Sequence, residues 1–498
     1  MAFESRANSA GTARPNTTTM KTRVSAIVAI ALLTVSATSC SSSGSRRGVM
    51  RDGDAAVVTI ARAGGTPISP FAFGNNYFNW VDWNKDGMVG LRGTEDPVKA
   101  LRLNVVVGDN NQNDANAPQL FDHAQIDSYI QYCRAVGAEP IMIAPVYGNN
   151  VDGGPTSAQG AADIVTYVNG TKNYGVKYWT IGMEVDIYDQ FFKRTTGLPV
   201  STAEEYAAVF NSYAKAMKAA NAAAHSGVEL VFVGPELGWR YSEGNDWLSP
   251  MLDHCRDTIG IASIHAYGFA AKDLTVERIL TDVDRFRPFV QDLKVRVARH
   301  ARPGTPLAIT EANICYEWDP KAYTAETRKL GPGTFYAALW DADRMGAALE
   351  ADLWAFAFWD LAESDQLLAS DSTVFGFIRT DPSKNPPTWT LTPEYHAQQM
   401  VTTNFSGNTV VPTGVPKRMS VYASYDGRKA ATAVLVVNKD TAERVVTLAI
   451  DDLPPRTITY SPMSINLVTI PDAPAADHHV LEYTMEMADA GLPPKATR

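Results

Sequence analysis

The sequence predicts an α/β chain: a (β/α)8 TIM barrel with a C-terminal antiparallel β-sandwich. Three observations carry that prediction. Eight short apolar runs alternate with amphipathic helical stretches, the pattern of βα units around a parallel sheet. Beyond about Asn404 the helical stretches stop and strands follow one another alone. Turn residues such as Asp426-Gly427 and Asn438-Lys439-Asp440 separate those last strands, as hairpins require.

The eight runs are Pro70–Tyr77, Leu103–Gly108, Glu139–Val146, Val176–Glu184, Val228–Gly234, Ile259–His265, Pro306–Glu311 and Ala351–Trp359. Helical stretches between them include Phe121–Val136, Thr202–His225, Val276–His300 and Gly333–Leu349. Thr202 followed by Glu205 forms a capping box, which marks a helix start. Eight parallel strands with covering helices close most naturally into a barrel. The tail strands are Met419–Tyr425, Thr432–Asn438, Arg444–Ile450 and Ile465–Ile470, with Ala55–Arg62 expected to complete their sandwich from the other end of the chain.

The front of the chain reads as an export signal. Lys21 and Arg23 precede an apolar run from Val24 to Val35, and small residues lead on to Cys40, the layout of a secretory leader. A run that short does not span a bilayer, which takes about 20 residues. Ala37-Thr38-Ser39-Cys40 resembles a bacterial lipoprotein cleavage box, with Cys40 as the lipidated residue and ordinary signal cleavage as the alternative. The expected organisation is therefore a signal peptide over 1–39, with Met20 as an alternative start, and a polar tether over 40–54. A joining strand over 55–69, the barrel over 70–403 and the sandwich over 404–498 complete it.

Composition bounds the function. The 498 residues carry 44 Lys and Arg against 54 Asp and Glu, a formal charge of -10. No basic stripe for a phosphate backbone is present, so nucleic acid is excluded as a partner. A membrane is reached only through the lipid anchor. Cys133, Cys255 and Cys315 are too widely spaced to read as a disulfide framework or a zinc site.

Barrel enzymes place their chemistry at the C-terminal ends of the strands. The fourth run finishes on Glu184 and the seventh on Glu311. A carboxylate there is costly unless it is used or paired, and strands four and seven face each other across the barrel mouth. Two such groups can flank one glycosidic bond, and a separation of about 5–5.5 Å makes one a nucleophile and the other an acid/base. A strand-end ion pair is the plainer account of either Glu taken alone.

On these residues the chain resembles the retaining glycoside hydrolases of clan A, closest in style to families 44, 39 and 51. Trp179-Thr180-Ile181-Gly182-Met183-Glu184 is similar to the clan's acid/base motif, and Ile309-Thr310-Glu311 to its nucleophile strand. His265 and Tyr267 match the sixth-strand positions near the nucleophile, and Trp359 the sugar-facing Trp of strand eight. The resemblance implies double displacement on β-glycosidic bonds of a polysaccharide or oligosaccharide, in the manner of an endo-β-glycanase of cellulase, xyloglucanase or xylanase type, with no cofactor required. It departs at Met183, where the clan has an Asn that donates to the sugar 2-hydroxyl; a thioether cannot. The usual Arg of strand two is also missing, which leaves Asn110 or Asn111 as substitute donors.

Aromatic rings stack on sugar faces, and Trp80, Trp83, Trp239, Tyr241, Tyr316 and Trp318 lie in loops where a cleft is expected, with Trp239 and Trp318 just beyond strands five and seven. Asp186 and Glu236 are reserve carboxylates. Asp82, Asn84 and Asp86, followed by Gly87, match the start of a structural calcium loop, with Glu95 or Asp96 in place of its last ligand and a plain polar turn as the alternative. Two other classes compete. A metal hydrolase needs ligand clusters at several strand ends, where only His265 is well placed. A noncatalytic glycan-binding surface lipoprotein keeps the cleft and loses one carboxylate, whereas both Glu184 and Glu311 are present.

Overall fold

A computed structural model describes residues 55–77, 93–108, 123–147, 156–187, 200–242, 244–364, 374–381 and 383–497. Eight parallel strands close into a barrel in chain order: Phe73–Tyr77, Val105–Gly108, Glu139–Ala144, Tyr178–Ile181, Val231–Leu237, Ile259–His265, Leu307–Glu311 and Phe356–Phe358. The eighth pairs with the first through Phe356 to Phe73 and Phe358 to Asn75. Strand side chains alternate between faces, and here one face fills the barrel and the other meets the helices. Val105, Val107, Ile141, Ile143, Val233 and Ile261 belong to the inner cluster, while Val106 and Met142 belong to the layer shared with the helices. Each fully buried Val or Ile contributes about 1.5–3 kcal/mol relative to exposure.

Two of the predicted strand ends that move lie beside the site. The fifth strand runs on to Leu237, with Ser263 paired to Pro235 and Ile264 to Leu237 across a register shift. Proline lacks an N–H and ordinarily ends a central strand, but a bulge accommodates it here. The fourth strand stops at Ile181, three residues before Glu184, where Gly182 turns the chain with φ +73°. The predicted capping box is also displaced: Thr202 accepts from the Glu205 N–H at 3.2 Å, while the Glu205 carboxylate takes the N–H of Ser201 at 2.7 Å.

The sandwich packs a seven-stranded sheet, including Met419–Asp426, Ala431–Asn438 and Ser464–Pro471, on a three-stranded sheet. Ala56–Ile60 joins the smaller sheet, pairing in parallel with Arg444–Ile450, while the other strand pairs of the sandwich are antiparallel. A strand from the far end of the chain has no hairpin to impose an antiparallel direction. The sandwich meets the barrel at helix Phe335–Glu350. There Asp343 accepts from Tyr422 Oη at 2.6 Å and from Lys439 Nζ at 2.8 Å, all three side chains being buried. Cys133, Cys255 and Cys315 are free and buried. No helix among the described residues is long and apolar enough to cross a membrane.

Candidate active site

Four consecutive barrel strands, the fourth to the seventh, bring Glu184, Glu236, His265 and Glu311 together at the C-terminal mouth. Glu184 follows the turn at Gly182 and itself holds φ +51°, and Glu236 holds φ +54°. A non-glycine residue in that region carries strain of about 1–3 kcal/mol, and such residues cluster at functional sites. The two turns are tied together, because the Glu184 N–H donates to the Glu236 carbonyl at 2.8 Å.

His265 is the centre of the arrangement and is fully buried. Its Nδ1 lies 2.8 Å from Glu184 Oε1 and 3.3 Å from Glu311 Oε2, and its Nε2 lies 3.0 Å from Glu236 Oε2. Glu236 also takes the hydroxyls of Ser263 and Thr310, each at 2.6 Å. Tyr267 Oη donates to the other oxygen of Glu311. One oxygen of Glu184, one of Glu311 and a ring nitrogen of His265 lie within 4.8 Å of one another. An ion gripped by these three atoms would need the lone pair of His265 Nδ1, so it would compete with any proton held there.

The electrostatics follow from this crowding. Burial pulls the pKa of His265 down, and the opposing pull of Glu311, Glu184 and Glu236 carries it well above the ordinary histidine value. Glu311 is pushed up to about 8, first by burial and then by the charge of Glu184, against the lowering pull of His265 and the Tyr267 hydroxyl.

The loop after the fifth strand is pinned by Asp186. This buried carboxylate accepts the backbone N–H groups of Gly238, Trp239 and Arg240 at 2.9, 2.9 and 2.7 Å. A Cβ at position 238 would come within 2.8 Å of the Glu184 carboxyl, so glycine lets the loop pass close over it. Trp239 stands 56% exposed. Its ring meets Tyr316 edge-on at 6.0 Å, and Tyr316 meets Tyr267 at 6.5 Å, which makes an aromatic line from Glu311 outward.

The other predicted residues divide. Trp359 directly follows the eighth strand but is buried, edge-on to the half-buried Trp318 at 5.8 Å. Tyr241 packs against Phe289 and gives its hydroxyl to the His265 carbonyl at 2.9 Å. Met183 is buried in the inner barrel cluster with Ile143 and Val233. Glu95 and Asp96 form the acidic first turn of helix Glu95–Leu101. Trp80, Asp82, Trp83, Asn84, Asp86, Asn110, Asn111 and Cys40 lie outside the described residues. The place of Glu236 on the far nitrogen of His265 was not readable. The signal was a buried acid inside Val233-Gly234-Pro235-Glu236-Leu237, where the proline hides the strand's continuation.

No protein-family model and no curated protein matches the chain. Solved structures do share its fold. A family 51 α-L-arabinofuranosidase from Bifidobacterium longum is 18% identical over 89% of this chain and 95% of its own, with a TM-score of 0.61. A bifunctional glucanase-xylanase from a metagenome library is 17% identical over 84% and 99%, at 0.59. A family 44 xyloglucanase from Paenibacillus polymyxa is 14% identical over 84% and 97%, at 0.56. Families 51 and 44 are two of the three that the strand-end motifs resemble.

Proposed function

We propose that the chain is a retaining glycoside hydrolase in which Glu311 is the nucleophile and Glu184 the general acid/base. The observation that carries this is the approach of the two carboxylates across the barrel mouth to within 4.8 Å, close to the spacing of retaining enzymes and too short to seat a water as inverting enzymes do. In the first step Glu311 attacks the anomeric carbon while Glu184 gives its proton to the leaving oxygen. In the second, Glu184 takes a proton from water, and that water displaces Glu311 from the sugar.

The finer substrate reading is a β-linked polysaccharide cut internally. The exposed Trp239 and the aromatic line behind it support a substrate that extends beyond the reacting sugar, because a flat ring at a cleft edge suits the CH face of a pyranose. The glucanase-xylanase and xyloglucanase that share the fold point the same way, and the arabinofuranosidase makes α-L-arabinofuranosides the competing class. Export belongs to the same proposal, since a polymer that cannot enter a cell requires an enzyme outside it.

The test is turnover on a panel of β-glucans, xylan, xyloglucan and arabinan, alongside Glu311→Gln. Turnover of at least one glycan that is abolished by Glu311→Gln is expected. Full activity in the variant would remove Glu311 from the chemistry, and glycan binding without turnover would favour the noncatalytic reading.

A further inference from the structure

We propose that Glu236 is a positioning residue that keeps His265 doubly protonated, so that its Nδ1–H always serves as a donor to the pair Glu184 and Glu311. The consequence for catalysis rests on the glycosidase reading above, but the test does not.

The geometry leaves one protonation state that suits every contact. A neutral imidazole has one N–H and one lone pair. With Glu236 at 3.0 Å from Nε2, and Glu184 at 2.8 Å and Glu311 at 3.3 Å from Nδ1, a neutral ring would aim its lone pair either at Glu236 or at the pair on Nδ1, one member of which is anionic in each state of the reaction. The imidazolium donates to both. Glu236 is itself arranged as an acceptor: it is fully buried, and Ser263 Oγ, which takes the Glu236 N–H at 3.3 Å, returns its own proton to Oε1. Thr310 Oγ1 donates to Oε2 beside His265.

The titratable groups around this ring come from every neighbouring strand end. Glu184 and Asp186 follow the fourth, Glu236 belongs to the fifth, Tyr267 follows the sixth, Glu311 ends the seventh and Asp360 follows the eighth. Among the three carboxylates that touch His265, the reaction changes two. Before attack Glu184 is protonated and Glu311 anionic; in the glycosyl-enzyme Glu311 is an ester and Glu184 anionic. One negative charge therefore faces Nδ1 in each state, but it alternates between partners. Glu236 takes no part in the transfer and its charge stays constant, so it holds the cation in place while the other two exchange roles. The same Nδ1–H stabilises the charge that develops on Glu184 as its proton leaves for the glycosidic oxygen.

The experiment uses the full chain labelled with 15N-histidine, with the His265 ring signals assigned by comparison with His265→Gln, read from about pH 5 to 9 across the ordinary histidine range. Both ring nitrogens of His265 are expected to show protonated shifts throughout. In Glu236→Gln, which keeps the shape and removes the charge, His265 should become neutral within that range. The kcat should fall by about 10- to 100-fold, the size expected for losing one charge-assisted hydrogen bond, while KM changes little and the pH profile shifts. In Thr310→Val, which strips a hydroxyl from Glu236 but leaves its charge, His265 should stay protonated. A neutral His265 at pH 7 in the unsubstituted protein overturns the proposal without any variant, and so does an unchanged His265 titration in Glu236→Gln. A doubly protonated His265 in a chain that turns over no glycan would fail the proposed function and leave this inference standing.

Discussion

Glu184 separates the two steps of the proposed reaction at the scale of a single side chain. Its proton matters where the leaving group is a poor one, and far less where an aryl group departs by itself. Glu184→Ala should therefore lose about 10²- to 10⁴-fold on a natural glycan and much less on an activated aryl glycoside of the same sugar. Equal losses on both substrates would move the acid role to another carboxylate. At this scale the sequence was legible wherever a polar residue directly followed an apolar run: Glu184, His265, Tyr267 and Glu311 converge as expected. Other positions could not be read because they depend on which way a side chain turns. Met183 stands in for a sugar-facing Asn in the sequence, yet it packs among Ile143 and Val233.

Elements were legible as far as burial and regular pairing coincide. All eight barrel strands lie within or overlap their apolar runs, because a strand covered on both faces reads as a continuous hydrophobic segment. The limits failed where an apolar run begins before the paired strand does, as at Ala351, whose run includes the exposed Asp352 before the strand Phe356–Phe358, and where pairing continues past a proline, as at Leu237. Helix Pro393–Thr402 adds a consequence for stability. Its first-turn Glu394 is buried and accepts the Gly333 N–H, and burial pushes its pKa up to about 7, with Arg379 opposing, from an ordinary 4.5. A carboxyl with a raised folded pKa contributes stability that is complete below about 4.5 and is lost as pH rises through about 7. Thermal unfolding should fall across that interval, and Glu394→Gln, which cannot ionise, should flatten the fall. An unchanged slope in the variant would place the effect on other groups.

At the scale of the whole molecule, the expected organisation has two connected parts. The candidate site belongs to the barrel mouth, and the sandwich meets the barrel at helix Phe335–Glu350. Low identity to structures of the same fold leaves the architecture common and the chemistry to be argued from the mouth itself. The proposed export through Cys40 has its own outcome: Cys40→Ala should move the protein from the membrane fraction to the soluble one, because without the lipid only the acidic globular chain remains. An unchanged distribution would rule out the anchor.

The central claim, double displacement by Glu311 and Glu184, is tested most directly by the anomer first released from any glycan the protein turns over. Proton NMR of the earliest product, taken before mutarotation, should show the same anomeric configuration as the bond that was cut, because two displacements invert twice. Release of the opposite anomer would mean a single displacement by water, and it would contradict the assignment of Glu311 as a nucleophile.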